Sequence, residues 1–356
     1  MPDWLPMLLS FGLSLLLSLG LTPLARRIGE RGGWFRRPGG RHIHTRPIAR
    51  SGGLALALAM TAALVLLLLL PISRPAGETL RVGLLIVAPL LALALMLRDD
   101  LREMPPGAKL VVQFVTAAVV VLPWFLGPNL QPPPGLLIDQ VQTPFWGTVS
   151  LPLVVAVLFT LLWIVGMMTT VNLLDGVDGL AGGVTAIAAL LLFVHTLRLG
   201  QYSLAPLPLA LVGACLGFLP YNFHPARVFM GDSGAIYLGY SLAILSIVGG
   251  AKIATALLVL GVPILDVAWV LIFRLSRGRS LARADRGHLH HRLLDLGLSQ
   301  VQIVGLFYAF SAGAGLLALL LPTPLSKFIA LAVMAVGIGV LLWRLARREL
   351  DKGRLQ

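Results

Sequence analysis

Carboxylates are scarce in this 356-residue chain, 15 in all, and five aspartates among them fall in three short motifs. Asp99 and Asp100 lie in "RDDLREMPPGAKLVVQ", Asp175 and Asp178 follow Asn172 in "NLLDGVDGLAGG", and Asp232 lies in "MGDSGAIYLG". A single aspartate is commonly a helix-end charge, because capping and the macrodipole favour acids at helix N-termini. Asp99 and Asp100 instead close an apolar run at its C-terminal end, where negative charge is disfavoured. Adjacent carboxylates also repel, so a cation is the expected compensation. A hard ion such as Mg²⁺ takes oxygen ligands, usually one or two carboxylates with phosphate oxygens and water. Glycines beside Asp175, Asp178 and Asp232 allow tight turns and close backbone approach to a ligand. Helices opening near Asp178 and Ser233 would add N–H groups for phosphate. The chemistry these residues suit is metal-assisted work on phosphate.

A basic half accompanies the acidic one. "RLSRGRSLARADRGHLHHRLLDLGLS" carries Arg274, Arg277, Arg279, Arg283, Arg286, His288, His290, His291 and Arg292. Anionic-lipid binding would explain the outer arginines but not three histidines within four residues. Zinc is the weaker reading of "HLHH", which lacks the i, i+4 pair and has no cysteine support, Cys215 being the single Cys of the chain. Donation to a phosphate or sugar is the better one. "RHIHTRPIARSGG" places His42, His44, Arg46 and Arg50 ahead of another apolar run, and Lys109 opens a further one. Lys and Arg are the usual partners of diphosphate oxygens. Asp266, in "GVPILDVAWVL", lies roughly two turns inside a hydrophobic segment, where an acid marks a functional site or a buried pair.

The elements that must position these groups are membrane helices. The chain is 57% hydrophobic and 12% charged, with mean hydropathy +0.89, which is outside the soluble globular range. A hydrocarbon core about 30 Å thick needs roughly 20 apolar residues per helix. Eleven segments qualify: 5–24, 52–72, 82–98, 109–127, 150–169, 178–197, 204–220, 233–250, 254–273, 301–321 and 326–344. The expected fold is therefore all-α, a single polytopic transmembrane domain spanning residues 1–356. The first span lacks a basic leader and reads as an uncleaved anchor with its N-terminus outside. Alternating sides from there puts 23 of the 28 Lys and Arg on the cytoplasmic side, as the positive-inside rule requires. The net charge of +13 is then topological, and a nucleic-acid partner is not expected. Cytoplasmic loops are expected at about 25–51, 98–109, 170–178, 220–233 and 274–300, with the C-terminus on the same side. Three loops distant in sequence thus present carboxylates at one membrane face. The Pro- and Gly-rich stretch "GPNLQPPPGLLIDQVQTPFWG" reads as an outside connector.

Together the blocks "HTRPIARSGG", "RDDLREMPPGAKLVVQ", "NLLDGVDGLAGG", "MGDSGAIYLG" and "GRSLARADRGHLHHRLLDLGLS" resemble, in order, the polyprenyl-phosphate N-acetylhexosamine-1-phosphate transferases, glycosyltransferase family 4. "PIARSGG" and "ADRGHLHHRL" resemble the branch using UDP-N-acetylglucosamine. The phospho-N-acetylmuramoyl-pentapeptide branch typically has a triple His followed by Phe-Glu, from which "HLHHRLL" departs. The resemblance implies a bacterial inner-membrane enzyme at the cytoplasmic face, in which undecaprenyl phosphate attacks the β-phosphate of a UDP-sugar and UMP leaves. It implies Mg²⁺, with Mn²⁺ as a substitute, held by Asp232 and by Asn172 or Asp178. Asp99 or Asp100 would deprotonate or orient the lipid phosphate. Lys109 would contact a phosphate, the Asp175 region would meet the uridine, and Arg286, His288, His290 and His291 would bind the diphosphate and sugar. His44 and Arg50 join the substrate-binding set, membrane lipids surround it, and a homodimer is compatible with it.

Rival readings are less well matched. A CDP-alcohol phosphotransferase needs an Ala-Arg after its first Asp-Gly and further spaced aspartates, which "DGVDGLAGGVTAIAALLL" lacks. A prenyltransferase needs a DxxxD motif, and "RDDLRE" offers DDxxE. A transporter or lipid-binding protein remains the alternative from another class, but a transporter would place its ionisable residues near the bilayer midplane, where only Asp266 comes close.

Overall fold

The computed structural model describes residues 2–36, 47–126, 133, 135–248, 253–276 and 287–354, with side chains other than those of 76 and 345–354. His44 and Arg286 lie outside the described residues. In chain order the elements are α1 Trp4–Arg31, β1 Phe35–Arg36, β2 Ile48–Ala49, α2 Gly52–Leu69, α3 Ala76–Leu101, α4 Pro106–Val121 and α5 Pro123–Leu126. There follow β3 Gln140–Thr143, β4 Gly147–Ser150, α6 Leu153–Leu174, α7 Leu180–Arg198, α8 Pro206–Asn222 and α9 Gly231–Ile247. The chain closes with α10 Ile253–Val259, α11 Gly261–Leu275, α12 Leu289–Asp295, α13 Gln300–Leu320 and α14 Pro324–Arg354. The fold is almost wholly helical, as expected of a multi-pass membrane protein.

Eight of the described helices are long and apolar enough to cross a bilayer, and α10 with α11 makes a ninth if the bent pair is one span. The other two of the eleven expected segments are helical as well, as α8 and α9, but are shorter than that. The helices α8 and α9 have 17 residues each, or about 25 Å at 1.5 Å per residue, against a hydrocarbon thickness of about 30 Å. Nearly all of α9 and most of α8 are buried. The expected span 254–273 is interrupted by a 78° bend at Leu260. Pro263 explains it, because proline has no N–H for the Val259 carbonyl and its ring clashes with that turn.

Several expected loops are shorter than supposed. The helix α3 continues to Leu101 and so carries Asp99 and Asp100, while Pro105 and Pro106 stop it from running on into α4. Asn172 is still helical, since α6 reaches Leu174. The outside connector contains an antiparallel hairpin, Gln140 opposite Ser150 and Thr143 opposite Gly147. Its "QVQT" and "GTVS" runs alternate as strands do, and Gly147 turns the chain at φ +67°.

Small residues bring the helices close. Ser10, Ser14, Ser18 and Thr22 form a buried i, i+4 stripe on α1, and the hydroxyls of Ser10 and Ser18 donate to the carbonyls of Pro206 and Ala214 on α8, at 3.0 and 2.7 Å. Such small-residue contacts are how membrane helices approach when apolar burial drives little. The central member is α9, which packs against α2, α3, α6, α7 and α8. Its Tyr237 and Tyr240 are fully enclosed, and the Tyr240 hydroxyl donates to the Thr116 carbonyl. At its start, Gly53 of α2 lies against Gly234 so closely that a Cβ on Gly53 would stand 2.5 Å from the Gly234 Cα.

The α1–α8 contact can be tested at Gly217, where a Cβ would stand 2.5 Å from the Leu15 carbonyl oxygen. Gly217→Leu should cost about 1–3 kcal/mol, the usual penalty of overpacking, read as a lower thermal midpoint in detergent. Gly12→Leu, at a position open on all sides, should leave the midpoint unchanged.

Candidate active site

Five segments converge at the N-terminus of α9. The turn after β2 supplies Arg50, the end of α3 Asp99 and Asp100, the start of α4 Lys109, the end of α6 Asp175, and α9 Asp232; Asn172 lies about one turn before Asp175 on α6. Backbone bonds seat the approach to α9 on the start of α2: Gly52 and Gly53 donate to the carbonyls of Phe229 and Met230 at 2.9 and 3.0 Å, and Phe229 donates to Ala49 at 2.8 Å.

Asp232 is divided between two cations. Arg50 Nη2 donates to its Oδ1 at 2.7 Å and Lys109 Nζ to its Oδ2 at 2.8 Å. Lys109 also donates to Asp99 Oδ2 at 2.7 Å, and Asp99 Oδ1 accepts the Met104 N–H at 2.7 Å. Arg50 lies 3.2 Å from Asp100 Oδ1. Burial works against the charge on Arg50, but Asp100, Asp232, Asp99 and Asp175 outweigh it and raise the guanidinium pKa. The influence of Asp175 places the "NLLDG" turn beside this cluster.

The two adjacent aspartates differ in role. Asp100 accepts the N–H groups of Asp232 and Ser233 at 2.8 and 3.1 Å, and the Ser233 hydroxyl at 2.5 Å. It therefore caps the start of α9 from a neighbouring helix, meeting donors that an isolated helix leaves unpaired. Gly231 makes room, with φ +77° and a position where a Cβ would stand 2.6 Å from both Asp100 Oδ2 and the Arg50 carbonyl. Asp99, by contrast, faces Lys109 and shares it with Asp232.

Asp178 points elsewhere. Its Oδ2 accepts from His224 Nδ1 at 2.9 Å and from the Ala226 N–H at 3.1 Å, tying the glycine turn to the α8–α9 loop. The next residue, Gly179, has φ +81°, donates to Asn222 Oδ1 at 3.1 Å and accepts the Tyr308 hydroxyl at 2.6 Å. The Asn172 amide is half-buried and has no hydrogen-bond partner among the described residues. On the far side of the turn, a Cβ on Gly176 would stand 2.4 Å from His290 Nε2. The rings of His288 and His290 stack at 5.8 Å and those of His290 and His291 meet at 4.3 Å. Asp266, whose partner the sequence did not reveal, accepts from His288 Nδ1 at 3.0 Å and from the Leu289 N–H at 2.8 Å.

A family model described as glycosyl transferase family 4 matches residues 82–250. A probable undecaprenyl-phosphate N-acetylglucosaminyl 1-phosphate transferase of Bacillus subtilis is 32% identical over 321 residues, covering 85% of this chain and 83% of that protein. The chain belongs to glycosyl transferase family 4. A decaprenyl-phosphate N-acetylglucosaminephosphotransferase of Mycolicibacterium smegmatis is 34% identical across 81% of this chain and 75% of its own length. The phospho-N-acetylmuramoyl-pentapeptide-transferase of Moorella thermoacetica is 41% identical, but over 43% of this chain and 48% of its own. The family 4 segment contains Asp99, Asp100, Lys109, Asn172, Asp175, Asp178 and Asp232. Arg50 and the histidine segment lie outside it and reach the same face through the fold.

In this family 4 protein the sequence-expected residues thus form two adjoining groups. Arg50, Asp99, Asp100, Lys109 and Asp232 make one ion network; His288, His290 and His291 make a second group, joined to the "NLLDG" turn through Gly176. Sequence reasoning missed His224, Tyr308 and Gln300 as supports of that turn, because each lies at least 46 residues from the residue it holds and carries no local signal.

Two outcomes test this geometry. Asp100→Ala should lower stability by about 0.5–2 kcal/mol, the cost of losing a helix cap, measured by thermal unfolding, with Asp100→Asn intermediate because one acceptor remains. Burial and the neighbouring His291 and His288 hold His290 well below the ordinary value of 6.5. The unfolded chain then binds the proton first, so stability is full above pH 6.5 and falls as pH drops below it. His290→Gln should flatten the decline in thermal midpoint between pH 6.5 and about 5.

Proposed function

We propose that this protein transfers N-acetylglucosamine 1-phosphate from UDP-N-acetylglucosamine to undecaprenyl phosphate at the cytoplasmic face of the bacterial inner membrane. The observation that carries the reading is the sharing of Asp232 between Lys109 and Arg50 at the start of a buried helix. The names of the two long-range relatives support the sugar and the polyprenyl acceptor. Coverage supports this branch over the muramoyl-pentapeptide one.

In the reaction an oxygen of the lipid phosphate attacks the β-phosphorus of the donor. A new P–O bond forms, the bond from the β-phosphorus to the bridging oxygen breaks, and UMP leaves with that oxygen. Little covalent work falls to the protein in phosphoryl transfer; alignment and neutralisation of charge dominate. Lys109 and Arg50 are the cations placed to meet phosphate oxygens. Asp99 orients Lys109 and the incoming lipid phosphate, and its position beside Asp232 keeps Lys109 within reach of both. A lipid phosphate ionised near neutral pH needs little general-base help. Asp100, with its oxygens already engaged, acts by positioning Asp232. His288, His290 and His291 serve the diphosphate and sugar.

The donor set fits a divalent ion. Mg²⁺ is commonly held by one or two carboxylates and completed by phosphate oxygens and water. Asp232 with Asn172 or Asp178 would hold it, and Mn²⁺ could substitute; on Asp232 the ion would compete with Arg50 and Lys109, which engage both oxygens, whereas His224 and Ala226 engage only Oδ2 of Asp178. When bound, such an ion would neutralise charge on the diphosphate as the leaving group departs.

Purified protein given UDP-N-acetylglucosamine, undecaprenyl phosphate and Mg²⁺ should release UMP, and omission of the lipid or addition of EDTA should stop it. Failure with every UDP-N-acetylhexosamine in folded protein would overturn the reading. Asp232→Asn should reduce turnover on the order of 10²–10³-fold or more, the scale of removing a group that stabilises the reacting charges, while leaving the protein inserted. Retained activity at saturating Mg²⁺ would remove Asp232 from the metal role.

A further inference from the structure

Asp266 is the one acid set within the apolar segment of α11, and it is 5% exposed. A carboxylate inside a membrane helix is costly unless it is paired. Here both of its oxygens are used, and both go to the start of α12: Oδ2 to the His288 ring at 3.0 Å and Oδ1 to the Leu289 backbone N–H at 2.8 Å. The two bonds do different things. The bond to Leu289 fixes where α12 begins. The bond to His288 requires the proton to sit on Nδ1, so the ring is held in one tautomer and one direction, with Nε2 as the nitrogen left for a ligand. His288 has no other hydrogen bond among the described residues. Its ring stacks parallel on His290, which rests against Gly176 of the "NLLDG" turn.

We infer that Asp266 is a positioning residue that docks α12 on the bent helix pair and orients His288 toward the donor's diphosphate. The inference rests on the transferase reading for what His288 meets, but the docking itself does not. The same pin links the α10–α11 bend to the histidine group: a shift of α11 carries Asp266 with it, and His288 must follow or lose its partner.

Three measurements on the full-length protein in detergent test this. Hydrogen exchange of the peptide spanning 287–295 should speed up in Asp266→Ala by about ten-fold or more, while a peptide from α9 is unchanged; equal protection in variant and wild type would overturn the docking whatever the reaction proves to be. In UMP-release assays Asp266→Ala should lower kcat/KM for UDP-N-acetylglucosamine by about 10–100-fold, the scale seen when a carboxylate that orients a functional histidine is removed, with KM for undecaprenyl phosphate unchanged. Asp266→Asn retains an acceptor oxygen and should recover part of the loss. His288→Ala with Asp266→Ala should be no worse than the more damaging single variant; additive losses would overturn the orienting role. Wild-type protein that fails to release UMP would sink the transferase reading and, with it, the orienting role, while the exchange result would still decide the docking.

Discussion

The site depends on holding three carboxylates and two cations together at the start of the buried helix α9. Each of these charges would be expensive to desolvate alone. Lys109 and Arg50 bridge Asp99, Asp100 and Asp232 into one array in which no acid stands without a cation, and the free N–H groups at the start of α9 absorb the remaining negative charge of Asp100. Removing Lys109 would leave Asp99, and removing Arg50 would leave Asp100, without a cation. The array carries more acid than base, and its two cations keep part of their side chains exposed, Lys109 more than Arg50.

The surrounding architecture serves that array. Glycines at 53 and 234 allow α2 and α9 to approach until their backbones touch, and the serine stripe on α1 holds α8 from outside. Proline at 105 and 106 ends α3 at the point where its two aspartates face α9. These are local sequence features with long-range consequences.

Much of this was legible in the sequence. Hydropathy gave the all-helical, multi-pass class, and the rarity of acids made Asp99, Asp100, Asp175, Asp178 and Asp232 conspicuous. What the sequence did not reveal were pairings between distant segments. Nothing local distinguishes Asp100 from Asp99, because the difference lies in which one points at a helix start 132 residues away. Asp178 lies in the same glycine motif as Asp175, yet it is drawn to His224 because the turn at Gly179 directs it toward the α8–α9 loop. All eleven expected segments are helical, but α8 and α9 are 17 residues long, and hydropathy alone does not separate a short apolar run that faces lipid from one packed among other helices. The break at Leu260 was foreshadowed by Pro263, but a hydropathy window averages over such a residue.

The long separation within the network also bears on how the protein is made. At roughly 5–20 residues per second, synthesis takes roughly 7–26 s to progress from Asp100 to the Ser233 that binds it. During that interval α3 and α4 are already in place with two adjacent carboxylates and no α9. Lys109, only ten residues from Asp99, is the partner available at once. The pair between them lets an incomplete chain tolerate its own charges while the remaining helices emerge, and the arrival of Asp232 then divides Lys109 between two acids. A working site is thus also a sign that the first four helices and the ninth have found one another.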